Sequence, residues 1–394
     1  MITLLIVFIS LSILIFFHEF GHFIFSRLAK IKVEEFGFGY PPRIIGLVKI
    51  KKTNKWQIFF GKKLPPSEEL ISTIYSLNLI PFGGFNKIKG EEGETITPDS
   101  FYFKPWWQRI ASLTGGVIMN LILAIILYSI GFNVGIPSIA KKNELGPSVH
   151  LKEVGIQIIS VKRSSPADEA GLLIGDIILA VDGQEYKEEK DIQAYINRKV
   201  GQVVNLKIKR GKKEINFNVV PRLAQEVFSE EELAGRELTG GVIGVIFSKV
   251  NIISYPFPLA IFEGVKTTFI TFWRIIAGVY FILKELLIKG KMVGEVVGVV
   301  GIGTFIGEVY QIGFIYLLQF IAFISIAIAV SQLIPFPALD GGRIFFTLIE
   351  AIRGKPISRK IEVLIHNIGF TILILLMVFI TYRDLMRLGE KLFK

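Results

Sequence analysis

The sequence predicts a polytopic α-helical membrane protein, with about four transmembrane helices, an inserted β-rich domain and interfacial amphipathic segments. Three observations lead there. First, 51% of the 394 residues are hydrophobic and the mean hydropathy is +0.53, more than a soluble core of this size needs. Second, four stretches reach the roughly 20 apolar residues that carry a helix across a bilayer. Third, between the second and third stretches the chain changes to short alternating runs punctuated by Gly, Pro and Asp, the pattern of strands and turns.

The first helix is expected over residues 1–26, apolar from Ile2 to Phe25 except for His18, Glu19 and His22. It lacks a basic leader and a small-residue cleavage site, so it reads as a retained span. Residues 27–106 follow as a membrane-associated, β-rich loop. The second span, 107–134, belongs to a run without charge from Ile110 to Ala140 that is expected to leave the membrane near Asn133. The β-rich module occupies about 146–222. Residues 223–308 read as a linker with interfacial helices, because Ile252–Ile288 is apolar but carries Glu263, Lys266, Arg274, Lys284 and Glu285, charges that are costly at mid-bilayer. The third span is expected over 309–338, a loop over 339–362, the fourth span over 363–384, and a tail over 385–394.

The net charge is +11, but Lys and Arg do not form the aromatic-interleaved stripe that nucleic acid favours. Nucleic acid is therefore excluded as a partner, and the lipid bilayer takes its place. The basic residues instead crowd two loops: Lys49, Lys51, Lys52, Lys55, Lys62 and Lys63 in one, Arg343, Arg353, Lys355, Arg359 and Lys360 in the other. The positive-inside rule places both loops in the cytoplasm and the β-rich module outside. The tail (Arg383, Arg387, Lys391, Lys394) pulls the other way, and the first helix dominates. With no cysteine, neither disulfides nor a thiolate-bound metal can form.

Within the module, Ser165-Pro166-Ala167-Asp168 starts a short helix with Ser as N-cap and Pro at the first helical position. Gly171 closes it. Gly175-Asp176 leads into a strand over Ile177–Val181, Asp182-Gly183 is a tight turn, a helix spans about Glu188–Arg198, and Val203–Lys209 and Glu214–Val220 form a hairpin around Gly211. The strings Ser-Pro-Ala-x-x-Ala-Gly-Leu and Gly-Asp-x-Ile-x-x-Val-Asp-Gly resemble those of a bacterial PDZ domain.

The chemistry sits in His18-Glu19-Phe20-Gly21-His22. On a helix, positions i and i+4 share a face, so both imidazoles can reach one Zn²⁺. Glu19 stands beside them as the candidate general base. Two histidines and a glutamate at the end of an apolar span are expensive to keep without a function. A third protein ligand is needed. His150 falls in the β-rich module, and His366 in the fourth span suits a structural role. Asp340 is the better candidate: it follows Pro335-Phe336-Pro337, which breaks the helix, and precedes Gly341-Gly342, which permits an unusual backbone.

Taken together, His18–His22 in the first span, a PDZ-like module after the second and Leu339-Asp340-Gly341 after the third resemble the site-2 protease family of intramembrane zinc metalloproteases, in its RseP-like branch with a single PDZ domain. Further matches are Pro81-Phe82-Gly83-Gly84-Phe85, Lys104-Pro105-Trp106-Trp107-Gln108-Arg109, Met119-Asn120 and Gly298-Val299-Val300-Gly301-Ile302. The chain departs from the pattern at Gln332, where the family usually has Asn, and at Val117 and Val299, where proline is common.

The resemblance implies a multi-pass protein of the bacterial inner membrane with one zinc per chain near the cytoplasmic side, held by His18, His22 and Asp340, with Glu19 catalytic. It implies single-span membrane proteins as substrates, already shortened by an earlier cut, such as anti-sigma factors or signal-peptide remnants, positioned by Gln332, Gly83 and Gly84. The PDZ module would bind a peptide or protein tail, or exclude uncut substrates. A non-catalytic membrane PDZ protein would be expected to have lost one of the four metal-site residues. A transporter would show internal repeats, and none is visible.

Overall fold

The computed structural model describes residues 2–61, 70–91, 97–139, 149–211, 213–229, 233, 240–290 and 298–392. Lys62, Lys63, Lys394 and Gly146, where the module was expected to begin, lie outside the described residues. Among the described residues four helices are long and apolar enough to cross a membrane: α1 (Ile2–Leu28), α2 (Trp106–Val134), and two later helices named below. The chain divides into two compact units, residues 1–127, 264–304 and 321–394 forming one, and 128–263 with 305–320 the other.

In the first unit, α1 lies against a sheet of β1 (Val33–Lys49), β2 (Trp56–Phe60) and β3 (Ile74–Ile88), ordered β2-β1-β3. β1 and β3 are long and folded on themselves, so that 33–38 is flanked by 84–88 on one side and 74–77 on the other. Residues 84–88 thus form an edge, and their outer side carries no strand among the described residues. Phe16, Phe20 and Phe23 of α1 pack on Phe36 and Tyr75 of this sheet. Gly83 adopts φ +68, and a β-carbon there would collide with Ile15 of α1; only glycine lets strand and helix come this close.

α1 also crosses α2 at close range. A β-carbon on Gly115 would come 2.5 Å from the Gly21 carbonyl oxygen, and the Ser26 and Ser112 hydroxyls hydrogen-bond at 2.6 Å. Small residues at such a crossing let two helix backbones pack without intervening side chains.

The second unit holds a six-stranded antiparallel sheet: β4 (Ile136–Ser138), β5 (His150–Val161), β6 (Ile177–Val181), β7 (Val204–Arg210), β8 (Lys213–Val219) and, after the short pair β9 (Arg222–Leu223) and β10 (Gly241–Val242), β11 (Val245–Ser254). Its order is β4-β11-β5-β6-β7-β8. Two short helices, α3 (Pro166–Ala170) and α4 (Glu189–Asn197), cover a core of Ile158, Leu172, Val181, Ile192, Leu206 and Ile208. The turn chemistry read from the sequence is present: Ser165 Oγ accepts from the Asp168 amide, Pro166 opens α3, and Gly171 is left-handed at φ 83. A third short helix, α5 (Ala224–Val227), follows β9.

Two expectations need correction. Residues 223–308 are not all linker and interfacial helix: β11 pairs with β5 along its whole length, so the stretch beginning at Ile252 opens as strand and only then becomes one long helix, α6 (Phe257–Lys289). Nor is 309–338 one span. The chain forms α7 (Val299–Ile312), breaks at Gly313, and starts again as α8 (Phe314–Leu333), which is the third membrane-length helix. Pro335 and Pro337 stop α8, since proline offers no amide hydrogen and clashes with the preceding turn.

After α8 come α9 (Asp340–Arg353) and α10 (Arg359–Leu392). α10 is the fourth membrane-length helix, and its apolar stretch is almost entirely exposed. A helix bare and apolar on most of its circumference is stable in hydrocarbon, not in water. The chain is a polytopic helical membrane protein with an inserted β-rich unit.

Candidate metal centre

One turn apart on α1, His18 and His22 point the same way and are buried. Their Nε2 atoms are 3.2 Å apart, and Asp340 Oδ2 lies 3.2 Å from the first and 3.1 Å from the second. The Asp340 oxygen is buried and finds no donor apart from these facing nitrogens. A tetrahedral zinc with bonds of about 2.0–2.1 Å holds its ligand atoms about 3.3–3.4 Å apart. The triangle fits that geometry, and two nitrogens with one carboxylate oxygen suit zinc with a fourth position left open.

The turn before α9 delivers Asp340. Ala338 takes the left-handed conformation at φ 80, a strained choice for a residue with a side chain. Its amide donates to His366 Nδ1 at 3.1 Å, so His366 braces the turn as the structural residue its sequence position suggested. A β-carbon on Gly341 would strike the Ile334 carbonyl, and one on Gly342 the Phe336 carbonyl. Both glycines are therefore required by close backbone approach. Gln332 Oε1 accepts weakly from the Asp340 amide at 3.4 Å.

Behind the histidines stands α2. His22 Nδ1 donates to the Ser112 carbonyl at 3.0 Å, which leaves Nε2 with its lone pair facing the cluster. His18 Nδ1 lies 3.3 Å from the Asn120 side-chain amide, whose Oδ1 has no other partner and can accept from Nδ1 once the amide is turned. Ser325 Oγ in turn donates to the Asn120 carbonyl at 2.8 Å. Between them, a β-carbon on Gly116 would lie 2.5 Å from His18 Cε1 and 2.6 Å from His22 Nε2.

Sequence reasoning missed Ser112 and Gly116 and gave Asn120 no role. The signal was available: 112, 116 and 120 recur every fourth residue, a polar or small stripe on an otherwise apolar span.

A cavity of about 400 Å³ opens onto the cluster, lined by Glu19, Tyr40, Asn86, Glu91 and Gln332 among others. Glu19 is thus beside the triangle of His18, His22 and Asp340. Gly84 packs against the base of Glu19, where its β-carbon would be 3.5 Å from Glu19 Cβ. Gly83 and Gly84 are not among the residues lining the cavity; they set the distance between β3 and α1.

A model of peptidase family M50 matches residues 6–62 and 49–376. The chain belongs to peptidase family M50. Among relatives, a Clostridium perfringens protein named "Putative zinc metalloprotease" is 30% identical over 96% of both chains. The regulator of sigma-W protease RasP of Bacillus subtilis is 26% identical over 98% of this chain and 99% of its own. The PDZ domain of an SdrC-like protein from Listeria innocua is 30% identical over 24% of this chain and 93% of that one, with a TM-score of 0.19. As an M50 peptidase the protein is a zinc-dependent metalloprotease of the site-2 protease type, embedded in a membrane by several helices.

Replacing Gly116 tests the cradle formed by α2. Gly116→Ala is expected to fold and to lose zinc affinity by at least about tenfold, because the added methyl must push the imidazoles out of register. The check is zinc per chain by mass spectrometry against free zinc concentration, with thermal unfolding in detergent as the control.

Proposed function

We propose that His18, His22 and Asp340 are the zinc ligands, and Glu19 the general base, of an endopeptidase that cuts membrane proteins within or beside their transmembrane segment. The observation that carries this reading is the triangle of ligand atoms 3.1–3.2 Å on a side, opening with Glu19 onto one cavity.

Zinc held by His18, His22 and Asp340 would supply Lewis acidity and lower the pKa of water toward about 7. The protein's own groups do the rest. Glu19 takes the proton from the attacking water on a carboxylate oxygen and passes it to the leaving amine. Ser112 and Asn120 keep the imidazole rings oriented, with Nδ1 used in each case. Gln332 lines the cavity and offers its amide hydrogens to substrate, while Gly83 and Gly84 act by letting β3 approach the base.

The substrates are single-span proteins already shortened by another protease, of the anti-sigma-factor or signal-peptide-remnant kind. A transmembrane helix hides its carbonyls in its own hydrogen bonds, so it must unwind before attack. The sheet edge formed by 84–88 can take up the unwound segment as an added strand. The PDZ-like unit acts as a docking site or filter for substrate tails outside the cytoplasm, and the chain resides in the bacterial inner membrane.

Reporter fusions check the topology. Fusions at Lys55 and Lys355 are expected to report cytoplasm and a fusion at Lys190 the exterior; a cytoplasmic signal at Lys190 would invert the arrangement.

The enzyme itself is checked at Glu19. A positioned acid–base group contributes roughly 10²–10⁴-fold in rate, so Glu19→Gln is expected to lose cleavage of a single-span reporter by that factor. Zinc content should be unchanged, since Glu19 is outside the ligand triangle. Wild-type turnover in that variant would exclude Glu19 as the base.

A further inference from the structure

Asn86 lies on β3 within the edge leg 84–88 and lines the cavity together with Glu19, His18, His22 and Asp340. Both polar atoms of its side chain, Oδ1 and Nδ2, are buried, and neither has a hydrogen-bond partner. Buried amides are almost always satisfied. The two other buried carboxamides of this unit each have a partner: Asn78 Nδ2 donates to the Gly39 carbonyl at 2.8 Å, and one end of the Asn120 amide meets His18 Nδ1 at 3.3 Å. Among the described residues Asn86 is the one side-chain amide whose donor and acceptor are both buried and both orphaned.

Its position adds direction to this. Side chains alternate along a strand, so Gly84, Asn86 and Ile88 share a face. Gly84 abuts Glu19, and Ile88 lines the cavity beside Asn86. The backbone of Asn86 is paired inward with Phe36. What remains is a carboxamide, a donor and an acceptor side by side, held at the cavity wall next to the residues proposed for catalysis. Its chemical complement is a peptide group with both N–H and C=O free. A helical substrate has neither to give, because both are engaged within the helix. An unwound one has both.

We infer that the Asn86 carboxamide binds the backbone of the unwound substrate segment, accepting from one N–H and donating to one C=O near the bond to be cut. The inference rests on the protease reading of this cavity. Asn86 then favours the extended form of the substrate over the helical form without reading its side chains. Gln332, on α8 across the same cavity, has its oxygen engaged by the Asp340 amide and contributes donors only.

The test measures binding in place of turnover. Full-length Glu19→Gln protein in detergent is titrated with a labelled synthetic single-span peptide of about 20 apolar residues carrying a central Gly-Ser-Gly. In a series of such peptides one central amide at a time is replaced by an ester, which removes the N–H and weakens the carbonyl as an acceptor. In the parent protein, an ester at one or two adjacent positions is expected to weaken binding about tenfold. With Asn86→Val added, a residue suited to a strand, the same esters should cost less than about twofold, while zinc content and unfolding temperature stay unchanged. Asn86→Ala serves as the second variant.

A merely structural Asn86 would weaken all peptides alike and leave the ester profile intact in both variants, and that result overturns the inference. The assay contains no catalytic step. An Asn86-dependent profile alongside a wild-type protein that cleaves nothing would therefore count against the protease reading and leave this one standing.

Discussion

The approach of α1 to α2 at Gly21, Gly115 and Gly116 is the constraint on which the metal centre depends. At Gly21 and Gly115 a single added carbon would strike the opposite backbone, and at Gly116 it would enter the space the two imidazoles occupy. Because nothing intervenes, the Ser112 carbonyl and the Asn120 amide reach the far nitrogens of His22 and His18. The near nitrogens are then free to face Asp340. The same closeness buries Ser112, Asn120 and both histidines, and such burial is tolerable only because these polar groups serve one another.

The second requirement is an interruption. A membrane-length helix satisfies its own backbone and offers no reactive carboxylate at its end, so α8 has to stop for Asp340 to reach the histidines. Pro335 and Pro337 stop it, Ala338 bends it, and His366 takes up the amide hydrogen that the bend would strand. The ion pair of Arg109 with Glu350, buried at 2.7 Å, ties α2 to α9 and so links the helix behind the histidines to the helix that begins with the aspartate. Removing either partner would leave a buried charge alone, which is costly.

Much of this was legible in the sequence because it is local. The i, i+4 spacing of His18 and His22, the two prolines before Asp340 and the Ser165-Pro166 and Gly171 caps each declare themselves within a few residues. What escaped is non-local or lacks contrast. The end of β11, from Ile252, reads as the start of an apolar run, and its identity as strand comes from pairing with β5 across the whole module. The break at Gly313 falls inside an uncharged run that continues from Val309 to Leu339, so no charge or proline marks the place. Ser112 and Gly116 are unremarkable alone and meaningful only as a stripe facing α1. Asn86 is one polar residue in a strand until the cavity beside it is known.

The central claim is that two imidazoles from α1 and one carboxylate from the turn after α8 hold a single zinc. Zinc-edge X-ray absorption on full-length protein purified without added metal tests it most directly. The account predicts about one zinc per chain with two imidazole nitrogens and the remaining ligands oxygen, at about 2.0–2.1 Å, and a spectrum that disappears in both His22→Ala and Asp340→Ala. Zinc retained at full stoichiometry with an unchanged spectrum in Asp340→Ala would contradict it.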